Sequence, residues 1–168
     1  MALRQDGTVW TWGDNTFGQL GNDTTVARSL AAAVVGLQDV VAISLGSGRL
    51  PLPAAVVHAL AVTSTGAVTG WGNNDYNQLG NLPPGLYRLP VQIPGLAGVQ
   101  IRAVSAGGRH SLALTADGGI LAWGADDRGQ LGTGSGSGTP GTAPAAVRRT
   151  DGTPLTPVVS IAAGDTFG

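Results

Sequence analysis

Residues 121–134 read LAWGADDRGQLGTG, and nearly the same phrase stands twice more, as VTGWGNNDYNQLGN at 68–81 and VWTWGDNTFGQLGN at 9–22. Each copy runs from Trp-Gly through a short polar stretch to Gln-Leu-Gly. Trp12, Trp71 and Trp123 recur about every fifty to sixty residues, a period that points to a repeat architecture. A second shared phrase leads into each Trp-Gly: ALRQDGTVWTWG, LAVTSTGAVTGWG and LALTADGGILAWG. Apolar residues alternate with others on both sides of Asp6-Gly7, Thr65-Gly66 and Asp117-Gly118, which is the pattern of a β-hairpin with a tight turn.

A third phrase lies further upstream, as VVAISLGSG (40–48), IRAVSAGGRHS (101–111) and VVSIAAGDTFG (158–168), and reads as short buried strands ending at glycine. Downstream of Gln-Leu-Gly, Leu89-Pro90-Val91 and Ala143-Pro144-Ala145-Ala146-Val147 suit an edge strand, where proline need not supply a ladder N–H. Four short strands in about fifty residues make a propeller blade. Within the repeated phrase, the large aromatic is expected to fill the wedge between neighbouring sheets. The Asn/Asp cluster favours turns, Leu20, Leu79 and Leu131 insert, and the glycines turn the chain. On this reading the phrase is mainly a folding device.

Composition sets bounds. With 42% hydrophobic residues the chain can bury a core, and 28 Gly with 10 Pro favour turns over long helices. A net charge of −1 offers no general attraction to nucleic acid or anionic lipid. No cysteine is present, so disulfides, Cys-based zinc sites and thiol chemistry are excluded. Neither AAAVVGLQDVVAISLG nor PLPAAVVHALAV supplies the roughly 18 clean apolar residues of a membrane helix, and MALRQDGTVW lacks the pattern of a signal peptide. The Ala-, Gly- and Pro-rich composition suits a bacterial source.

These phrases resemble the repeats of the regulator of chromosome condensation family. The resemblance rests on Trp123-Gly124, on Gly129-Gln130-Leu131-Gly132 and Gly18-Gln19-Leu20-Gly21, and on Ala106-Gly107-Gly108-Arg109-His110-Ser111-Leu112-Ala113-Leu114; Asn77 replaces the first glycine in the middle copy. It implies an all-β propeller, here of about three four-stranded blades over one domain, 1–168. The expected blade units are approximately 1–39, 40–100 and 101–157, with 158–168 complementing the blade begun at residue 1. Written head to tail, AAGDTFG-MALRQDG follows the register of SAGGRHS-LALTADG, so the chain is expected either to be a segment of a longer propeller or to assemble head to tail with a second copy.

Family members bind proteins through loops and faces, and the expected function is a non-enzymatic protein-binding or scaffold module with no cofactor, no metal and no nucleic-acid partner. Asp14, Asn15, Phe17, Asn73, Asn74, Asp75, Tyr76, Asp126, Asp127 and Arg128 are the expected partner-binding residues, with aromatic and Arg positions as anchors. The resemblance also carries two alternatives: guanine-nucleotide exchange on a small GTPase, and the proteinaceous enzyme inhibition of a bacterial relative. Gly108 stands where the related plant ultraviolet photoreceptor has tryptophan, which disfavours light sensing. His58 and His110 occupy equivalent positions and are expected to make a repeated structural hydrogen bond. The Gly136–Gly141 stretch matches GxGxxG formally but reads as a flexible loop. An apolar insert near Arg49–Val57 and the extra Trp10 have no assigned role.

Overall fold

The computed structural model of the chain describes residues 1–48, 56–134, 138 and 140–168. Most of the insert near Arg49–Val57, and half of the Gly136–Gly141 stretch, therefore lie outside the described residues. Among those described there are eleven strands and no helix: β1 (Ala2–Leu3), β2 (Val9–Gly13), β3 (Arg28–Ala33), β4 (Val40–Gly48), β5 (Val56–Thr63), β6 (Val68–Asn73), β7 (Leu86–Gln92), β8 (Ile101–Ala106), β9 (His110–Thr115), β10 (Ile120–Gly124) and β11 (Gly141–Ala146). They form three antiparallel sheets in the orders β1-β2-β3, β4-β5-β6-β7 and β8-β9-β10-β11. This is a partial β-propeller. Pro90 and Pro144 fall in β7 and β11, both at sheet edges, where the missing N–H costs no ladder bond.

The hairpin turns show why glycine follows Asp6, Thr65 and Asp117. Gly7, Gly66 and Gly118 have φ of 76°, 78° and 87°, in the left-handed region. Their carbonyls each accept a backbone hydrogen bond from the start of the next inner segment: from Val40 at 3.1 Å, Ile101 at 3.4 Å and Val158 at 2.8 Å. A Cβ at Gly7 or Gly66 would come within 3.0 Å of that segment's backbone. The glycine thus serves both the turn and the seam between sheets.

β5 is buried on both sides, and its period of two divides it between neighbours. Ala59 and Ala61 pack with Val9, Val34 and Trp71 towards the first sheet. Leu60 and Val62 pack with Val104, Ala113 and Trp123 towards the third. The tryptophans complete each seam. The Trp71 indole Nε1–H donates to the Gln19 carbonyl of the first sheet's loop at 2.9 Å, and Trp123 Nε1–H donates to the Gln78 carbonyl of the second at 2.9 Å. Both rings are fully buried.

Trp12 corrects the expectation that all three tryptophans fill wedges. It is 47% exposed, because no sheet lies on the side to which its position in the repeat directs it. The third inner phrase is also not a strand: 158–168 has no ladder partners, although Val158 and Ala163 donate their N–H groups to the Gly118 carbonyl and Ser105 Oγ, and Gly164 accepts from Gly108. Trp10, left without a role by sequence, is half-buried; its indole donates to Thr8 Oγ1 at 3.1 Å and carries the Arg4 guanidinium 5.6 Å from its ring centre.

Trp123→Ala is expected to cost roughly 3–5 kcal/mol, since a buried aromatic and its hydrogen bond are both lost. Trp12→Ala is expected to change stability by less than about 0.5 kcal/mol in dilute solution. Urea denaturation of the two variants measures the contrast.

Candidate protein-binding face

The three Trp-Gly to Gln-Leu-Gly loops share one hydrogen-bond design. Asn15, Asn74 and Asp126 stand at the same register, and the Oδ1 of each accepts the backbone N–H of Leu20, Leu79 or Leu131 at 2.9, 2.7 and 3.0 Å. The amide groups of the two asparagines reach onward. Asn15 Nδ2 donates to the Thr24 carbonyl at 2.9 Å, and Asn74 Nδ2 to the Leu82 carbonyl at 3.0 Å. Gln19, Gln78 and Gln130 close the loops from the other side. Each Oε1 accepts from the residue two before it (Phe17, Tyr76 or Arg128) at 2.8, 2.9 and 2.8 Å. Their Nε2 groups donate to Asp14, Asn73 and Asp127. The turn residue is left-handed in every loop: Gly18 at φ 71°, Asn77 at 58° and Gly129 at 75°. Asparagine is among the side chains best tolerated there, which explains the one departure from Gly-Gln-Leu-Gly.

The ten expected partner-binding residues therefore divide. Asn15, Asn73, Asn74 and Asp126 are buried and hold the loops from within. Asp14, Asp75, Asp127 and Arg128 are exposed, and Phe17 and Tyr76 are half-buried. Phe17, Tyr76 and Arg128 occupy one register position, so each loop presents a large side chain at the same height. The carboxyls of Asp14 and Asp127 lie below their usual range. Asp14 accepts from the Thr16 hydroxyl, and Asp127 from Gln130 with Arg109 alongside.

Arg109 is the residue the sequence reading missed. It precedes β9, whose first residue His110 pairs with Gly124 at the loop end of β10, and that placement at the loop end of a hairpin was the available signal. Its guanidinium lies 4.7 Å from the Tyr76 ring centre and 2.8 Å from the Asp127 carboxylate, so it ties the second loop to the third. Partial burial works against the charge, but Tyr76 and Asp127 outweigh it and hold Arg109 above its ordinary pKa. Arg128, 72% exposed on its side chain, reaches only to 3.9 Å from Asp127 and projects from the face.

Beneath this face lie the two histidines. His58 Nε2 shares a 2.9 Å hydrogen bond with Ser111 Oγ, which donates to the Gln78 carbonyl at 2.8 Å. His58 thus makes the expected structural bond; His110 does not, for neither ring nitrogen has a hydrogen-bond partner, and Gly168 stands at the position matching Ser111. Burial, with His110 nearby, pushes His58 down to about 3. Burial also lowers His110, opposed in part by the Phe167 backbone and by Asp126 and Asp165.

Stacked antiparallel sheets with their long loops gathered at one end define an arc of β-propeller blades. The chain belongs to the regulator of chromosome condensation family: the model described as "Regulator of chromosome condensation (RCC1) repeat" matches residues 6–48, 65–114 and 117–168, and a second model of the same description matches 101–130. The human E3 ubiquitin-protein ligase HERC2 is 33% identical over 135 residues, covering 80% of this chain and 3% of HERC2. Human WBSCR16 has a TM-score of 0.69 at 23% identity, over 85% of this chain and 34% of its own. Yeast RCC1 (Prp20), in its crystal structure with Kap60, has a TM-score of 0.67 at 26% identity, over 96% of this chain and 37% of its own. The chain thus spans about a third of the solved chains it matches.

Asn74→Ala leaves the Leu79 N–H unpaired in a buried loop and is expected to cost about 1–3 kcal/mol, measured by urea denaturation. Acid acts through the histidines. The unfolded chain protonates His58 near its ordinary 6.5, while the folded chain resists to about 3. The contribution is therefore intact above pH 6.5 and is lost as pH falls through that window, by up to about 1.4 kcal/mol per pH unit. Denaturation midpoints between pH 7 and 4 should fall less steeply for His58→Gln than for the parent.

Proposed function

We propose that the chain is a non-enzymatic protein-binding module whose partner sits on the loop face around Tyr76, Arg109, Asp127 and Arg128. The observation that carries this reading is the division within each loop. Inward polar groups are consumed by the loop itself, while Phe17, Tyr76 and Arg128 are left at one outward register. Aromatic and Arg side chains are the residue types most enriched at interface hot spots. A cation–π pair already fixes part of the patch, which reduces the ordering that binding would require. That the related yeast protein is found in complex with Kap60 supports a protein partner, although this chain spans only part of that relative.

The test is a cross-linking capture from cells of the source, followed by affinity measurement with each recovered partner. Tyr76→Ala with Arg128→Ala should weaken binding at least tenfold while the thermal midpoint moves little. Equal affinity for the parent and the double variant would remove this face. Guanine-nucleotide exchange is the finer alternative: if a recovered partner is a small GTPase, accelerated nucleotide release separates exchange from simple binding.

A further inference from the structure

The outer edges of the three sheets are not alike. In each sheet the residue just past the outer strand donates its N–H inward to the strand alongside: Val34 to the Val9 carbonyl at 2.8 Å, Ile93 to Val68 at 3.1 Å and Val147 to Ile120 at 3.0 Å. Those bonds bring the three edges into register. Three residues back from each donor stand Pro90 on β7 and Pro144 on β11, but Ala31 on β3. Backbone groups alternate along a strand, so this position directs its N–H away from the sheet. A proline there leaves the ladder untouched and denies a hydrogen bond to any strand arriving from outside. The first sheet lacks that block.

β3 lacks charged guards as well. Residues 29–38 (SLAAAVVGLQ) carry no charge, and the strand pairs with β2 alone. Leu30 is 78% exposed, and Ala31 and Ala33 are exposed beside it. A neighbouring blade does not supply a strand here. β7 has a sheet on either side and still ends its own sheet; the first blade reaches it through Asp23, whose N–H donates to the Arg88 carbonyl at 3.0 Å. The opening on β3 therefore comes from its own residues, whatever stands beside the first sheet.

The strand is also complementary to itself. Set antiparallel about a two-fold axis through Ala31, one β3 places Ala31 opposite Ala31, Leu30 opposite Ala32 and Ser29 opposite Ala33 of another. The one large side chain meets small ones. The two Arg28 residues stand roughly 20 Å apart along the strands, six residues at about 3.4 Å each, so no like charges are opposed.

We propose that two copies of this chain pair edge to edge along β3, so that their first sheets become one continuous antiparallel sheet. The contact is isologous and uses both open edges, so it closes at two copies. It involves none of Tyr76, Arg109, Asp127 or Arg128, and it stands independently of the function above.

The chain has no cysteine, which makes the register directly testable. Ala31→Cys should cross-link to its own copy under mild oxidation, because facing residues of a hydrogen-bonded antiparallel pair have Cα atoms about 5.5 Å apart, within disulfide reach. Ala33→Cys, four residues out of register with its own copy and so at least about 14 Å away, should not. Light scattering of the parent over a range of concentrations should show a mass of twice 16.7 kDa. Ala31→Pro, which installs the residue of the other two edges, should keep the far-ultraviolet spectrum of the parent and raise the dissociation constant at least a hundredfold. Leu30→Lys, which leaves the backbone as it is, should weaken pairing in the same direction. A single-chain mass at high concentration overturns the proposal, as does pairing that survives both substitutions, or cross-linking that is equal at positions 31 and 33.

Discussion

The arc depends on one contact: an indole N–H directed at the carbonyl of a glutamine in the preceding sheet's loop. The glutamine side chain bridges two points of its own loop, which fixes where that carbonyl points. The geometry of the loop therefore sets where the next sheet's tryptophan can seat. The Asx side chain at Asn15, Asn74 or Asp126 builds it by holding the backbone N–H of the following leucine. A buried indole without an acceptor would cost about as much as the bond contributes several times over, so seam and loop stand or fall together.

Within ten residues each loop combines a rigid interior and a variable exterior. Four positions, the Asx, the Gln, the Leu and the left-handed turn residue, are committed to geometry. The position filled by Phe17, Tyr76 and Arg128 is constrained only through its backbone N–H, which bonds to the glutamine. Its side chain is free to differ from blade to blade, and it does: two aromatics and one cation on three loops of the same shape. Arg109 then joins two of these exteriors into one patch, with Tyr76 on one side and Asp127 on the other.

Much of this was legible in the sequence. Asp-Gly between alternating runs marked the hairpins, Pro90 and Pro144 marked the edges, and the spacing of Trp12, Trp71 and Trp123 marked the repeat. What sequence did not separate was position within the array. Trp12 stands at the same place in the repeated phrase as Trp71, yet one is exposed and the other buried, because burial here is decided by the adjacent sheet. The same holds for 158–168, whose pattern is that of β8 but which lacks a partner strand. The division of the polar loop was also hidden. Asn74 and Asp75 are adjacent and similar in type, and only the fold shows that one faces the Leu79 N–H while the other faces solvent.

Contacts between sheets run from first to second and from second to third, with the middle sheet's β5 buried from both sides. Such an array loses its order from the outside inwards. Among the described residues of this stretch taken by itself, the two outer sheets each share one seam and the middle sheet shares two. Amide protons of β5 should therefore be the last to exchange with solvent, and a pulling force applied at the two termini would peel the outer sheets away singly before the centre yields.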